Sequence, residues 1–155
     1  MGSCVVFCAA MASLASWLRL AIRIFIGGYF IFAAVPKIVE PYVFATNISH
    51  YQMLPAWSVN TFALLLPWLE LVAGTALLIG FRLRAAAVLC SAMLAMFTFA
   101  VIWAVSHGLT IDCGCFGDGN GETVSWEKVS KNVAMIVLTV SLVVGPLRER
   151  KDVDV

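Results

Sequence analysis

Two cysteines separated by one glycine stand in the segment IDCGCFGDGNGE, residues 111–122, a long polar stretch in an otherwise apolar chain. A disulfide between Cys113 and Cys115 would close too small a ring to brace a fold through loop entropy. The bond would also be strained, and strain makes a disulfide easier to reduce, while Gly114 lets the backbone bend enough to form it. The spacing therefore favours a labile, redox-active pair over a structural one.

Two other interpretations of the pair stay open. Two thiolates could hold a soft metal, Cu(I) or Zn(II), but a closed structural zinc site takes four ligands at longer spacing, so we assign no metal ligands from the sequence. Cys113 and Cys115 could also be inert thiols in a turn formed by glycines. Exposure on an oxidising face of a membrane would disfavour that second interpretation.

The composition places this segment in a membrane protein. Hydrophobic residues make up 62% of the 155-residue chain, charged residues make up 12%, and the mean hydropathy is +0.96. One small soluble core cannot bury that much apolar surface, so the lipid bilayer is the expected solvent. The net charge of +1 gives no basic surface for nucleic acid, and we expect no nucleic-acid partner.

The apolar runs predict an all-α membrane protein, a bundle of four transmembrane helices in a single domain covering residues 1–155. Each run is close to the roughly 20 residues that cross a bilayer core. The predicted spans are about 14–35, 61–80, 85–106 and 129–145. The third and fourth are joined by the CGC loop, residues 107–128, which is rich in Gly and Asp. Between the first and second, bounding prolines predict a short interfacial helix or a lid.

The positive charges predict the orientation. Arg82 and Arg84 lie between the second and third spans, and a basic cluster at 148–151 follows the fourth. Both regions are expected in the cytoplasm, which makes the bundle N-in and C-in and puts the CGC loop and the first loop on the outer face. No positive charge precedes the first apolar run, so we expect the N-terminus to be retained and not cleaved as a signal peptide.

A carboxylate and two guanidinium groups fall inside the predicted spans. Glu70 lies near the middle of the second span, where an ionised carboxylate needs a partner. Arg23, at a similar estimated depth, is the expected partner, and Arg19 shares its helix face at i, i+4. Arg19, Arg23 and Glu70 are candidates for a cofactor site, either for a quinone or for protons, and the alternative is a structural ion pair.

Four further residues carry expectations. His50 and His107 fall on the same predicted face as the CGC pair, where an imidazolium could lower a thiol pKa or relay its proton, although a solvated histidine is the simpler interpretation. Lys37 ends the first span and is expected to reach lipid headgroups. Cys90, inside the third span, is expected to be a buried structural thiol.

The runs RIFIGGYFIFAAVPKI, LLLPWLELVAGTALLIG, FRLRAAA and IDCGCFG together resemble the MauE branch of the DoxX-like membrane proteins. The resemblance implies a four-helix protein of the bacterial inner membrane. It also implies a role in periplasmic thiol–disulfide chemistry with a thioredoxin-fold periplasmic partner. Similarity in outline to other four-helix enzymes that pass electrons from thiols to quinones makes a quinone the expected cofactor.

These observations predict a membrane thiol–disulfide oxidoreductase. Cys113 and Cys115 would exchange disulfides on the periplasmic face, with His50 and His107 as candidate helpers, in support of disulfide formation or maturation of an exported protein. Two other classes remain: a soft-metal binding membrane protein, and a non-catalytic assembly factor or scaffold. Replacement of both thiols by serine separates the three classes. A scaffold would keep its activity, a metal-binding protein would lose its metal, and a disulfide-exchanging protein would lose its activity with no metal present.

Overall fold

The computed structural model describes residues 2–109, 111 and 124–144, with side chains from residue 14 onward. The described part of the chain is all-helical, without strands. Its five helices are α1 Gly2–Val39, α2 Pro41–His50, α3 Ala56–Ile79, α4 Leu83–Ser106 and α5 Trp126–Val144. Successive long helices run in alternating directions, because α1 and α3 are joined through the short α2, and α3 and α4 through only three residues.

Three of these helices are long and apolar enough to cross a bilayer: Leu14–Val39 of α1, Ala56–Ile79 and Leu83–Ser106. They confirm three of the four predicted spans. The fourth span is a helix, α5, but its 19 residues include Glu127, Lys128 and Lys131, and it is not apolar enough to count as a span by composition. The N-in, C-in orientation stays a prediction.

The helix bounds differ from the predicted ones mainly at prolines. The sequence predicts a first span that ends before Pro36, but α1 continues through this proline to Val39. A helix inside a membrane bundle tolerates proline when its surroundings satisfy the freed backbone groups. The second span begins five residues earlier than predicted, directly after Pro55, which occupies the N-cap position of α3.

Glycines set the closest approach of two helices, at the contact between α1 and α3. A Cβ atom built on Gly27 would lie 2.9 Å from the carbonyl oxygen of Gly74, and one built on Gly74 would lie 2.9 Å from the carbonyl oxygen of Gly27. Small residues let membrane helices pack backbone to backbone in this way. The two glycines therefore fix the register of α1 against α3.

The predicted lid between the first two spans is the ten-residue helix α2. Its Phe44 is buried, and the ring lies 5.0 Å from Lys37 Nζ, so α2 packs over the end of α1. Aromatic side chains are exposed at the same end of the bundle, as expected for a membrane–water interface. They are Tyr42, Trp57, Trp103 and Trp126.

The segment that follows α4 and the segment that precedes α5 meet at this end of the bundle. Val124 N donates a backbone hydrogen bond of 3.0 Å to Ile111 O, just before α5 begins. The predicted loop 107–128 is therefore joined at its base, between the end of α4 and the start of α5. Residues 112–123, which carry Cys113 and Cys115, lie outside the described residues.

Candidate functional site

The most buried charges of the described bundle are paired with each other. Lys37 Nζ lies 2.8 Å from Glu70 Oε1 and 2.9 Å from Glu70 Oε2, so the ammonium group donates to both oxygens of the carboxylate. Only 3% of Lys37 and 9% of Glu70 is exposed. The Phe44 ring adds a cation–π contact above the ammonium.

The register of α1 against α3 explains why these two side chains meet. Gly27 lies opposite Gly74, and the two helices are antiparallel, so Lys37 stands about six residues, roughly 9 Å, beyond Glu70 towards α2. Side chains of a helix point towards its N-terminus. The Lys37 side chain therefore points back along α1 while the Glu70 side chain points towards α2, and the two close the gap.

The expected pairing of Arg23 with Glu70 is wrong. Arg23 Nη2 donates a 2.9 Å hydrogen bond to the carbonyl oxygen of Leu78, and the guanidinium packs against Gly80. The depth argument ignored side-chain direction, because Arg23 lies beyond the Gly27–Gly74 contact and points away from Glu70. Arg23 therefore caps the end of α3. The expectation that Lys37 reaches lipid headgroups is also wrong, because its ammonium group is buried against Glu70.

A small cavity, here called the polar cavity, adjoins the ion pair. Its volume is about 40 Å³, and its lining includes Tyr29, Lys37, Glu70, Met93 and Asn132, from four helices. Asn132 is 7% exposed, and its Nδ2 has no hydrogen-bond partner among the described residues. A buried donor without a partner is costly, so such an atom in a native protein calls for an explanation, of which a bound water, ion or ligand is one.

A second hollow, here called the lipid-facing groove, runs along the outside of α3 and α4. It has a volume of about 300 Å³ and an apolar surface. Its lining includes Phe62, Leu65, Leu66, Leu69, Met93 and Met96. Most of these side chains are exposed, which in a membrane means exposed to lipid. Met93 is in the lining of both hollows, so the polar cavity and the groove share this side chain.

The remaining predicted residues are spread over the bundle. His50 is the exposed last residue of α2, and His107 is exposed after α4, where its ring stacks on Trp103 at 4.0 Å and its Nδ1 lies 2.9 Å from Trp103 O. Arg19 is half-buried on α1. Cys90 is fully buried in α4, which confirms its expected burial.

One tyrosine at this end of the bundle is held in its neutral form. Tyr51 follows α2 and is 7% exposed. Burial raises the pKa of its hydroxyl to about 12. Tyr51 therefore stays protonated across the physiological range and adds no charge beside α2.

Comparison with known proteins assigns the family. The family model described as "Methylamine utilisation protein MauE" matches residues 15–145, a range that includes every candidate residue described above. The chain belongs to the MauE family. No solved structure matches it.

Three proteins named "Methylamine utilization protein MauE" show how far the similarity extends. The one from Methylorubrum extorquens is 32% identical over 111 residues, which is 71% of this chain and 60% of that protein. The one from Paracoccus denitrificans is 32% identical over 126 residues, 81% of this chain and 68% of that protein. The one from Methylophilus methylotrophus is 42% identical over 84 residues, 54% of this chain and 44% of that protein. The aligned regions therefore cover less than two thirds of two of these relatives.

Sequence reasoning found Glu70 in this MauE-family chain but missed its partner and the polar cavity. One available signal was Asn132, an amide followed by the apolar run VAMIVLTV, because a polar side chain near the start of such a run needs a buried partner. Another was the position of Lys37 one residue after a membrane proline, which places it inside a continuing helix. Tyr29 and Met93 carried no signal, since aromatic residues and methionines are common in membrane helices.

Proposed function

We propose that this MauE-family protein is a membrane thiol–disulfide oxidoreductase that works through Cys113 and Cys115 and passes electrons to a quinone. Its substrates are an exported protein or a thioredoxin-fold partner on the periplasmic side of the bacterial inner membrane. The relatives' names associate them with methylamine utilisation, and maturation of an exported protein needed for that process is the role we propose here.

The observation that carries the proposal is the hydrogen bond between Val124 and Ile111 at the end of the bundle. Cys113 follows Ile111 by two residues and Cys115 by four, so even a fully extended chain keeps their Cα atoms within about 7 and 14 Å of that anchor. The anchor is at the end of the bundle nearer Lys37 and α2. The proposal thus rests on a thiol pair whose segment begins and ends at the same end of the bundle as the buried Lys37–Glu70 pair.

The chemistry runs in two balanced steps. A substrate dithiol, with one sulfur as the thiolate, attacks the Cys113–Cys115 disulfide and forms a mixed disulfide, which its second sulfur resolves. The substrate leaves as a disulfide, and its two protons end on Cys113 and Cys115, which are then two thiols. The pair then gives two electrons and two protons to a quinone, which becomes a quinol, and the disulfide is restored. Which of the two cysteines is attacked first stays open.

The direct test is the thiol state of the pair in native membranes, measured by acid-quenched alkylation and mass spectrometry. We expect Cys113 and Cys115 to be disulfide-bonded, to be reduced by a dithiol substrate, and to re-form the bond only when a short-chain quinone is added. Cys113→Ser and Cys115→Ser should each abolish the cycle. Cys90→Ala is the matched control and should leave it unchanged, because Cys90 is fully buried away from the bundle end.

Three outcomes would overturn the proposal. Thiols that stay reduced in the presence of quinone would exclude an oxidase. Thiols protected by bound copper or zinc, with the metal lost in the double serine variant, would establish the metal site instead. A double serine variant that still supports maturation of the exported partner in cells would establish a scaffold.

A further inference from the structure

We infer that the polar cavity and the lipid-facing groove are two halves of one quinone site, entered from the bilayer past Met93. The quinone head would accept hydrogen bonds from Asn132 and Lys37, and its apolar tail would lie along α3 and α4. The inference rests on the proposed function for its redox role, but the site can be tested without any thiol chemistry.

The polar half selects the chemistry of the head group. Asn132 Nδ2 is a buried donor with no partner among the described residues, and it lines the cavity. The Lys37 ammonium has three hydrogens, and its two bonds to protein are both to Glu70. Donors therefore face the cavity from two helices. A ligand with carbonyl oxygens satisfies them, and the Lys37–Glu70 pair, which also lines the cavity, adds no net charge that would favour a charged ligand.

The lipid-facing groove favours a ligand that enters from the lipid bilayer. The groove has an apolar surface, and its lining residues Leu65 and Leu69 are about half exposed on the outside of the bundle. Its volume of about 300 Å³ is at the lower end of the range for small-molecule sites. The polar cavity, at about 40 Å³, holds a water-sized group but no aromatic ring. The groove alone offers no polar surface to a quinone head, and the cavity alone has no room for its ring.

Met93 makes the two halves into one site. It is 8% exposed and lines both hollows, and an unbranched methionine has three rotatable bonds with which to move. Rotation of this side chain would join the cavity to the groove without displacing a helix. A ring could then enter between α3 and α4 until its carbonyl reaches Asn132 and Lys37.

The first test measures the affinity of a decyl-benzoquinone for the full-length protein in lipid nanodiscs. We expect Asn132→Leu to weaken binding about tenfold, the effect of one lost hydrogen bond. Thr139→Val is the matched control, because Thr139 is buried on the same face of α5 and already donates a 2.7 Å bond to Met135 O. Its affinity should change less than twofold. Equal effects of the two substitutions would overturn the inference.

The second test measures the rate of quinone association by stopped-flow quenching of tryptophan fluorescence. Met93→Ala removes the side chain shared by the two halves and should speed association several-fold. Met135→Ala, at a residue that is also 8% exposed but lines neither hollow, should leave the rate unchanged. An unchanged rate in Met93→Ala would overturn the proposed entry route, and this test stands even if Asn132→Leu fails to fold.

A protein with both Cys113 and Cys115 replaced by serine separates this inference from the proposed function. Quinone binding that persists in this protein and depends on Asn132 supports the site whatever the thiols do. Thiols that cycle with quinone while binding ignores Asn132 and Met93 would leave the proposed function standing and overturn the site.

Discussion

Two basic side chains of α1 face α3, and their surroundings differ. Arg23 reaches the last turn of α3, where it donates to Leu78 O and packs against Gly80, whose φ of +80° ends the helix. Lys37 lies at the other end of α1 and is held by the carboxylate of Glu70. The free carbonyls of a helix C-terminus attract a cation without help from another charge. A cation buried against the interior of a helix needs a full negative charge.

The fold depends on Arg23 as a single residue, but it depends on Lys37 as one member of an ion pair. Arg23 binds a group that every helix end provides, so its loss removes one interaction and leaves no buried charge behind. Removal of either Lys37 or Glu70 leaves the charge of the other buried without compensation. The Lys37 end of the bundle is therefore the more sensitive to substitution, and three predictions test that ranking.

The largest expected effect is that of Glu70→Leu. It leaves the Lys37 ammonium buried without its carboxylate, which should lower the free energy of unfolding by about 3–5 kcal/mol. The measurement is unfolding in mixed micelles with increasing SDS, followed by circular dichroism. The double variant Lys37→Met, Glu70→Leu should recover most of the loss, since it removes both charges. A single variant as stable as the wild type would refute the dependence on the pair.

A smaller effect is expected at the Gly27–Gly74 contact, which fixes the register of α1 against α3. Gly74→Ala places a methyl group 2.9 Å from Gly27 O and should cost about 1–3 kcal/mol in the same unfolding measurement. Gly28→Ala is the control, because a Cβ there meets nothing within 4 Å. It should be neutral or stabilise the helix by up to about 1 kcal/mol. Equal costs at Gly74 and Gly28 would mean that α1 and α3 are not held together at this contact.

The smallest effect is expected for Arg23→Gln. The guanidinium is half-buried, and its loss removes one hydrogen bond and a favourable charge at the end of α3, for a cost of about 1 kcal/mol. Arg23→Lys should cost less, because it keeps the charge. A loss as large as that of Glu70→Leu would contradict the contrast between the two ends.

More of the fold than of the candidate site could be predicted from the sequence. Long apolar runs predicted the helices that contain Leu77, Cys90 and Leu142, since the ability of a segment to cross a bilayer follows from its length and composition. The pairing of Glu70 could not be predicted from depth, because it depends on helix register and side-chain direction. That register is set by Gly27 and Gly74, whose importance is visible only when the two helices are placed together.

The hydrogen bond between Ile111 and Val124 has a consequence for how this family can vary. A segment whose two ends are held together can change in length at little cost, because doubling the length of a flexible loop costs only about 0.6 kcal/mol in loop-closure entropy. The helices on either side of that bond need not adjust. Substitutions or insertions between Ile111 and Val124 should therefore leave the buried Lys37–Glu70 pair of the bundle in place.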